Sequence, residues 1–431
     1  MNHAKIIIQS LLKTIDNIEA RRNEFCYDPS KDFTRKRKVG FKSVIKSLLC
    51  FEGKSLNSEL LNLFNFGKIK FSVSAFVQQR SKIIPEAFYE LFRKFSDANT
   101  HIKLFHGYRL IAFDGSDINT PKNSDDTESL QHNQSTTYNI YHLNAFYDLL
   151  SQTYTDALVQ KRNQYNEHKA FAEMAERFDD THPAIFIADR GIESYNAMAH
   201  IQEIGQKFLI RVKDIGSCGI VSRFDLPDDE FDVCYDLQIS RKKSHRKSCE
   251  YSSPFLVRLN HKAVFDYLSD SSEYTLHVRF VRIRIDENSF EVLATNLNPT
   301  DFPPAALSVL YHLRWGIETS FAKLKYTVGL SAFHSKKPEH IIQEIFIRLT
   351  FYNFCRLIAA GISIPKKERK HIYKLNFSVA VCICRAFLRG RCAPGCVETN
   401  IRHFLIPYRP GGSSPRTLRH IPPISFNYRI A

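Results

Sequence analysis

Tyr311-His-Leu-Arg314-Trp-Gly-Ile-Glu318-Thr-Ser-Phe-Ala-Lys-Leu-Lys325 is the most informative stretch of the chain. Read as a helix at about 100° per residue, it places four polar side chains within a sector of roughly 60°: Tyr311, Arg314, Glu318 and Lys325. An adjoining face carries an apolar stripe that fits packing against a core: Leu310, Leu313, Ile317, Phe321 and Leu324. Because a carboxylate can hold a metal ion and Arg and Lys can hold phosphate, the polar face indicates phosphodiester chemistry on a nucleic acid. The alternative is a solvated helix face with an internal ion pair.

The spacing of these polar residues resembles the C-terminal signature of DDE-type insertion-sequence transposases of the "IS four" group. That signature is Tyr, two residues, Arg, three residues, Glu, six residues and Lys, and every position matches. The resemblance implies a ribonuclease-H-like catalytic domain with two aspartates upstream of Glu318. It also implies that Tyr311, Arg314 and Lys325 hold phosphates of the transposon end.

Two aspartates follow short apolar runs that are typical of buried strands. Asp114 comes after Arg109-Leu-Ile-Ala-Phe113, and Asp189 comes after Ala184-Ile-Phe-Ile-Ala188. Strand ends hold side chains rigidly and leave them open to substrate. Taken singly, each is equally well a turn or cap residue, which Asp often is after a strand. Together with Glu318, in this order of elements, they predict one site.

The resemblance assigns roles to these carboxylates. Asp114 looks like the first catalytic aspartate, Asp189 like the second, and Glu318 like the third metal ligand. Asp117 is a nearby acid that lies three residues beyond the predicted strand end, so it is not chosen. The family usually has Tyr or Phe where this chain has Ile192, a departure that removes an aromatic contact but no ligand.

Three oxygen donors suit Mg²⁺, with Mn²⁺ as a substitute. A pair of ions can activate an attacking oxygen and stabilise the leaving one. The sequence has no Gly-rich phosphate loop ending in Lys-Ser or Lys-Thr, no His-Glu-x-x-His and no Gly-x-Ser-x-Gly, so ATP dependence is not indicated. The resemblance implies DNA cleavage at transposon ends and strand transfer into target DNA, by a cut-and-paste route through a hairpin intermediate. A ribonuclease-H-like host nuclease and a catalytically inactive, transposase-derived DNA-binding protein are the alternatives.

The charge balance favours a polyanionic partner. The chain carries 60 Lys and Arg against 45 Asp and Glu, a net charge of +15, and release of counterions would supply much of the affinity for DNA. No apolar run approaches the ~20 residues that cross a bilayer, and the N-terminus lacks a signal peptide's apolar core. We therefore expect a cytoplasmic, nucleoid-associated protein that binds no membrane. The resemblance implies double-stranded DNA as partner, both terminal inverted repeats and target, and a homodimer in the paired-end complex.

A chain of 431 residues exceeds one ordinary core, so two to four domains are expected. The order of predicted elements and the resemblance give a mixed α/β fold class, in which a ribonuclease-H-like catalytic domain is interrupted by a β-rich insertion. Between 104 and 213 the pattern predicts three strands, a helix, a strand, a helix and a strand, the order of a ribonuclease-H-like sheet. The predicted regions are a helical DNA-binding region at 1–103, the first catalytic part at 104–213, a β-rich insertion at 214–298, the second catalytic part with the glutamate helix at 299–362, and a basic, partly disordered region at 363–431. For the first region, a helical cap on the catalytic domain is the alternative.

Two basic runs are candidate DNA contacts. The first is Arg35, Lys36, Arg37 and Lys38, and the second begins with Arg241, Lys242 and Lys243. For the second run a solvated loop is the alternative. His334 is a weaker candidate contact. Trp315, the only tryptophan, is predicted to pack against the catalytic sheet rather than to stack on a base.

Overall fold

The computed structural model describes residues 3–99, 102–132, 136–242, 255–269, 273–287, 289–364 and 372–408. Within them a ten-stranded mixed sheet is covered by helices, which confirms the mixed α/β class. None of the described helices is both long and apolar enough to cross a membrane.

Five helices precede the sheet, as the sequence predicts. Serine side chains cap two of them, because Ser55 accepts the N–H of Ser58 and Ser72 accepts the N–H of Ala75. The helices are α1 (His3–Ala20), α2 (Phe41–Cys50), α3 (Leu56–Leu63), α4 (Val73–Arg80) and α5 (Glu86–Asn99).

The central strands have the ribonuclease-H-like arrangement. The elements are β1 (Arg109–Thr120), β2 (Leu130–His132), β3 (Thr137–Asp148), β4 (Thr153–Lys161), α6 (Glu167–Glu176), β5 (Ala184–Ala188), α7 (Tyr195–Glu203) and β6 (Lys207–Val212). The order of the central strands in the sheet is β4–β3–β1–β5–β6, with β3 antiparallel to β1 and β4, and with β1, β5 and β6 parallel. Helix α6 lies between β4 and β5 in the chain, and α7 lies between β5 and β6.

One strand is longer than predicted. The sequence predicts that β1 ends at Asp114, but it runs to Thr120 because residues from Asp114 onward stay paired with β3. The parallel pairing with β5 does end there, at Phe113 opposite Ala188. Asp114 and Asp189 therefore each follow the last parallel pair of β1 and β5, at the same edge of the sheet.

The insertion is β-rich, as predicted, but its strands continue the catalytic sheet. They are β7 (Phe231–Ser240), β8 (Phe255–Arg258), β9 (Glu273–Asp286) and β10 (Ser289–Thr295). Strand β10 pairs with β6 and with β9. Val292 and Ala294 join the core on one face of the sheet, and Leu293 joins the core on the other. This burial on both faces is typical of a central strand.

The glutamate helix is interrupted twice. Helix α8 (Pro304–Leu313) meets α9 (Trp315–Ala322) at Arg314, and a π-helical segment, Lys323–Val328, follows α9. The remaining elements are α10 (Pro338–Ala360), β11 (Ile372–Leu375), α11 (Phe377–Leu388), α12 (Pro394–His403) and β12 (Leu405–Tyr408). The sequence predicts that the region at 363–431 is partly disordered. Within it, β12 pairs with β11 as an antiparallel hairpin, and 409–431 lies outside the described residues, so the predicted disorder stays a prediction.

The N-terminal helices share one hydrophobic core with the C-terminal helices. Phe88 and Phe92 of α5 lie in the same cluster as Phe346 of α10 and Ala380 of α11. This packing fits the alternative of a helical cap on the catalytic sheet. DNA binding by these helices stays a prediction.

Candidate active site

Asp114 and Asp189 occupy the sheet edge where parallel pairing ends. Each side chain is partly exposed and accepts the backbone N–H of the next residue, Gly115 at 2.9 Å and Arg190 at 2.7 Å. These bonds hold each carboxylate against its own backbone. Because Phe113 pairs with Ala188, the two aspartates that the sequence predicts follow neighbouring positions of the sheet.

The glutamate helix lies across this edge. Leu310 and Tyr311 of α8 are buried against the sheet, and Ile317 and Phe321 of α9 are buried in the core shared with the N-terminal helices. At the junction, backbone bonds tighten to three-residue spacing, with the N–H of Arg314 donating to the carbonyl of Tyr311 at 2.9 Å. The Tyr311 hydroxyl donates to Asp189 Oδ1 at 3.1 Å.

The basic residues of the signature are bonded within the protein. Arg314 is 6% exposed, and its guanidinium donates to Glu318 Oε1 at 2.9 Å. Lys325 Nζ donates to Ser116 Oγ and to the carbonyl of Asp117, both at 2.7 Å. Burial lowers the pKa of Lys325 and outweighs the charges of Asp117 and Asp114, which oppose it. The predicted phosphate-binding residues surround the site, but each is already engaged.

Electrostatic interactions connect all three predicted ligands through Arg314. Burial raises the pKa of Asp114 to about 6; Arg314 opposes this rise, and the charges of Glu318 and Glu167 add to it. Burial lowers the pKa of Arg314, but Tyr311, Glu318 and both aspartates outweigh it, so the pKa is raised overall. Arg314 is therefore the cation that sits among the carboxylates.

The donor set suits a hard divalent cation, since its oxygens are those that Mg²⁺ prefers. Within the described ranges, however, no three His, Cys, Asp or Glu side chains are grouped as metal ligands. The bond from Arg314 to Glu318 gives a physical reason, because it directs the glutamate to a guanidinium. The Nε atom of Arg314 is buried without a hydrogen-bond partner. The residues fit Mg²⁺ in their chemistry, and in this structure Arg314 holds one of the two carboxylate oxygens of Glu318.

The sequence argument missed a second group of side chains beside Asp114. His142 is 4% exposed; its Nδ1 lies 2.7 Å from Asp117, and its Nε2 lies 2.9 Å from Glu167. Although burial lowers it, these carboxylates raise the pKa of His142 overall. Asp117, which the sequence argument set aside, is thus part of a chain that leads to Glu167. Nothing in the spacing of these residues marks them, because they meet only through the pairing of β1 with β3 and the start of α6.

The side chains of His142 and Glu167 lie against Gly115, the residue after Asp114. A methyl group at Gly115 is therefore expected to disrupt this part of the site. A Cβ at Gly115 would lie 2.3 Å from His142 Nε2 and 2.6 Å from Glu167 Oε1. We expect Gly115→Ala to lower the free energy of unfolding by about 1–3 kcal/mol, as overpacking does, and to reduce DNA cleavage. Urea unfolding and a cleavage assay measure the two effects. Gly216→Ala is the matched control, since a Cβ there meets nothing within 4 Å; equal loss in both variants would contradict the prediction.

The candidate DNA contacts differ in their surroundings. Arg35, Lys36, Arg37 and Lys38 are exposed. Arg241 donates to the carbonyls of Asn260, His261 and Ala263 at 3.1–3.3 Å, which favours a structural role in its loop. Lys242 is exposed, with its Nζ 3.8 Å from Glu273, and Lys243 lies outside the described residues.

The expectation for Trp315 is wrong. Trp315 is 53% exposed, so it does not pack into the catalytic sheet as predicted. His334, the weaker candidate for a DNA contact, is 8% exposed and its Nδ1 lies 2.9 Å from Glu344, so it is part of the interior.

One protein family and one solved structure described below are similar to this chain. The family model described as "Transposase DDE domain" matches residues 105–354, more than half of the chain. No curated protein matches the sequence. Among solved structures, the chain is similar to the cryo-EM structure of the piggyBac transposase synaptic complex with hairpin DNA, at 10% identity and a TM-score of 0.45, covering 96% of this chain and 85% of that chain. The range matched by the family model spans Asp114, Asp189 and Glu318.

Proposed function

Since the chain belongs to the DDE transposase family, which catalyses metal-dependent DNA cleavage and strand transfer, we propose that it cuts transposon ends and joins them to target DNA. The observation that carries this proposal is the meeting of Asp114, Asp189 and the glutamate helix at one edge of the sheet. The Tyr311 hydroxyl bonds Asp189, and the charge of Glu318 acts on Asp114.

In this proposal Asp114, Asp189 and Glu318 hold Mg²⁺, with Mn²⁺ as a substitute. When bound, the ions activate the attacking oxygen and stabilise the leaving oxygen. In this proposal Arg314 moves its hydrogen bond from Glu318 to a DNA phosphate when DNA and metal bind. Tyr311 and Lys325 would contact the same strand after releasing Asp189 and Ser116.

The finer features of the reaction rest on the signature. Its spacing supports membership of the "IS four" group, a cut-and-paste route and a hairpin intermediate. Two ends must be cut together, which supports a homodimer in the paired-end complex. The substrates are the terminal inverted repeats and target DNA, and no ATP is consumed.

Removal of divalent metal tests the function. The substrate is an end-labelled duplex that carries the inverted repeats flanking the gene. We expect cleavage at the repeat boundary with Mg²⁺ or Mn²⁺ and none in EDTA, because the three carboxylates then lack the charge that activates the nucleophile. Denaturing gels separate a nicked strand from a hairpin, whose two strands stay joined.

The alternatives give different products in the same assay. Binding without cleavage in Mg²⁺ would favour an inactive DNA-binding protein. Equal cleavage of duplexes with and without the repeats would favour a host nuclease. Either result would overturn the proposed function.

A further inference from the structure

A cavity of about 350 Å³ opens beside Asp189 and has no part in the site described above. Its walls are the segment that follows β5, the segment that follows β6 and His168 of α6, so it lies at the carboxyl ends of two parallel strands. Ligands of open α/β sheets bind at such ends. The lining begins at Arg190, the residue next to Asp189, and continues to Lys213 and Arg223.

The cations of this cavity are unpaired. Arg190, Lys213 and Arg223 are exposed at its rim, and within the described chain they form no salt bridge and no side-chain hydrogen bond. They differ in this from Arg314 and Lys325, whose side chains are engaged inside the protein. Positive charge that is free to meet a ligand thus lies on the Arg190 side of Asp189.

Among the described residues that line the cavity, one is an acid, Glu193, and its carboxylate already accepts backbone hydrogen bonds. Glu193 accepts the backbone N–H of Lys213 at 2.8 Å and that of Ile220 at 2.6 Å, which ties the two walls together. A Cβ at Gly219 would lie 2.6 Å from Lys213 Cβ and 2.8 Å from Glu193 Oε1, so this tie needs a glycine there. These bonds hold the two walls close together, and the cations on them are exposed to solvent.

The cavity also contains a buried hydroxyl that lacks a partner. Tyr195 is 7% exposed, and its oxygen has no hydrogen-bond partner among the described residues. Burial raises the pKa of Tyr195 to about 12, with Arg223 opposing, so the group stays a donor. An unsatisfied buried donor beneath three free cations fits an anionic oxygen.

We propose that this cavity binds a backbone phosphate of the DNA strand that passes Asp189, through Arg190, Lys213, Arg223 and the Tyr195 hydroxyl. The inference rests on the proposed function and extends it, since it adds a phosphate contact beside Asp189 that Tyr311, Arg314 and Lys325 do not supply. A strand held at more than one phosphate near Asp189 has its scissile bond fixed in position.

Two substitutions test the cavity. Arg223→Gln removes a charge, and Tyr195→Phe removes only the hydroxyl. Lys207→Gln is the matched control, because Lys207 begins β6 at the opposite edge of the sheet. Binding of the repeat duplex is measured by fluorescence anisotropy without divalent metal, between about 50 and 200 mM salt.

We expect Arg223→Gln to weaken binding about tenfold and to reduce the salt slope by about one, as loss of one phosphate contact does. Tyr195→Phe should weaken binding about threefold without a change in the salt slope or a loss of thermal stability. A scan of neutral methylphosphonate linkages should reveal one position that weakens the wild type but not Arg223→Gln.

The outcomes separate the two proposals. If the wild type binds and cleaves the duplex while Arg223→Gln behaves like Lys207→Gln and Tyr195→Phe like the wild type, the cavity proposal fails alone. If the wild type does not bind the duplex, the proposed function fails, and the cavity proposal fails with it.

Discussion

Asp114→Asn is expected to reduce Mg²⁺-dependent cleavage by about a thousandfold or more, since a metal site supplies several kcal/mol of transition-state stabilisation. The substitution keeps the shape of the side chain and its bond from the Gly115 N–H. DNA binding should therefore persist. Cleavage rates under single-turnover conditions, with anisotropy for binding, measure the two effects.

The same variant is expected to be at least as stable as the wild type near neutral pH. Burial and the charges of Glu318 and Glu167 raise the pKa of Asp114 to about 6, so the ionised group is disfavoured in the folded protein. The penalty is present in full above pH 6, shrinks as pH falls from 6 and is gone below the ordinary value of 3.8, whereas Asn removes it at every pH. A group that costs stability and is needed for cleavage belongs to the reaction rather than to the fold.

Asp301→Asn is the control, because Asp301 is an exposed acid in the turn before α8. It should leave cleavage, binding and unfolding unchanged. If Asp114→Asn cleaved as fast as this control, Asp114 would have no place in the active site.

The main features of this edge are predictable from sequence because they depend on local patterns. An apolar run followed by Asp predicts the position of Asp189, and helical spacing predicts that Tyr311, Arg314 and Glu318 share a face. Their partners are not predictable in this way. The charge of Glu167 acts on Asp114 only because the start of α6 lies beside Gly115, and no spacing along the chain encodes that interaction.

Trp315 illustrates a different kind of error. It lies two residues before the buried Ile317, which is roughly 160° around the helix from it, so periodicity itself places it opposite the apolar stripe. The prediction of packing followed residue type instead. For His334 no pattern was available, because it belongs to a loop and its partners come from α3 and α10.

Glu344→Gln is expected to lower the free energy of unfolding by about 3–5 kcal/mol, because it leaves a buried cation without its carboxylate. Arg80 and Glu344 have side chains that are 1% and 3% exposed, and they meet at 2.8 Å. Glu344 also lies 2.9 Å from His334 Nδ1. Arg80 ends α4 and Glu344 lies within α10, so the pair joins the N-terminal helices to the catalytic half.

Urea unfolding measures this loss with two probes. The fluorescence of Trp315 reports on the glutamate helix, and far-UV circular dichroism reports on all helices. Because the helices share one core, we expect coincident transitions in the wild type. Glu339→Gln is the matched control, since Glu339 is exposed in the first turn of the same helix and should change stability by less than about 0.5 kcal/mol.

The size of the loss should depend on pH with a definite sign. Burial raises the pKa of Glu344, but His334 and Arg80 outweigh it and the pKa is lowered, so its contribution is present above pH 4.5 and is lost as pH falls. Burial lowers the pKa of His334, but Glu344 outweighs it and the pKa is raised, so its contribution is present below pH 6.5 and is lost as pH rises through the folded pKa. The difference between wild type and Glu344→Gln should therefore be largest between pH 4.5 and 6.5. A difference that did not shrink below pH 4.5 and above the folded pKa of His334 would mean that shape rather than charge holds α4 to α10.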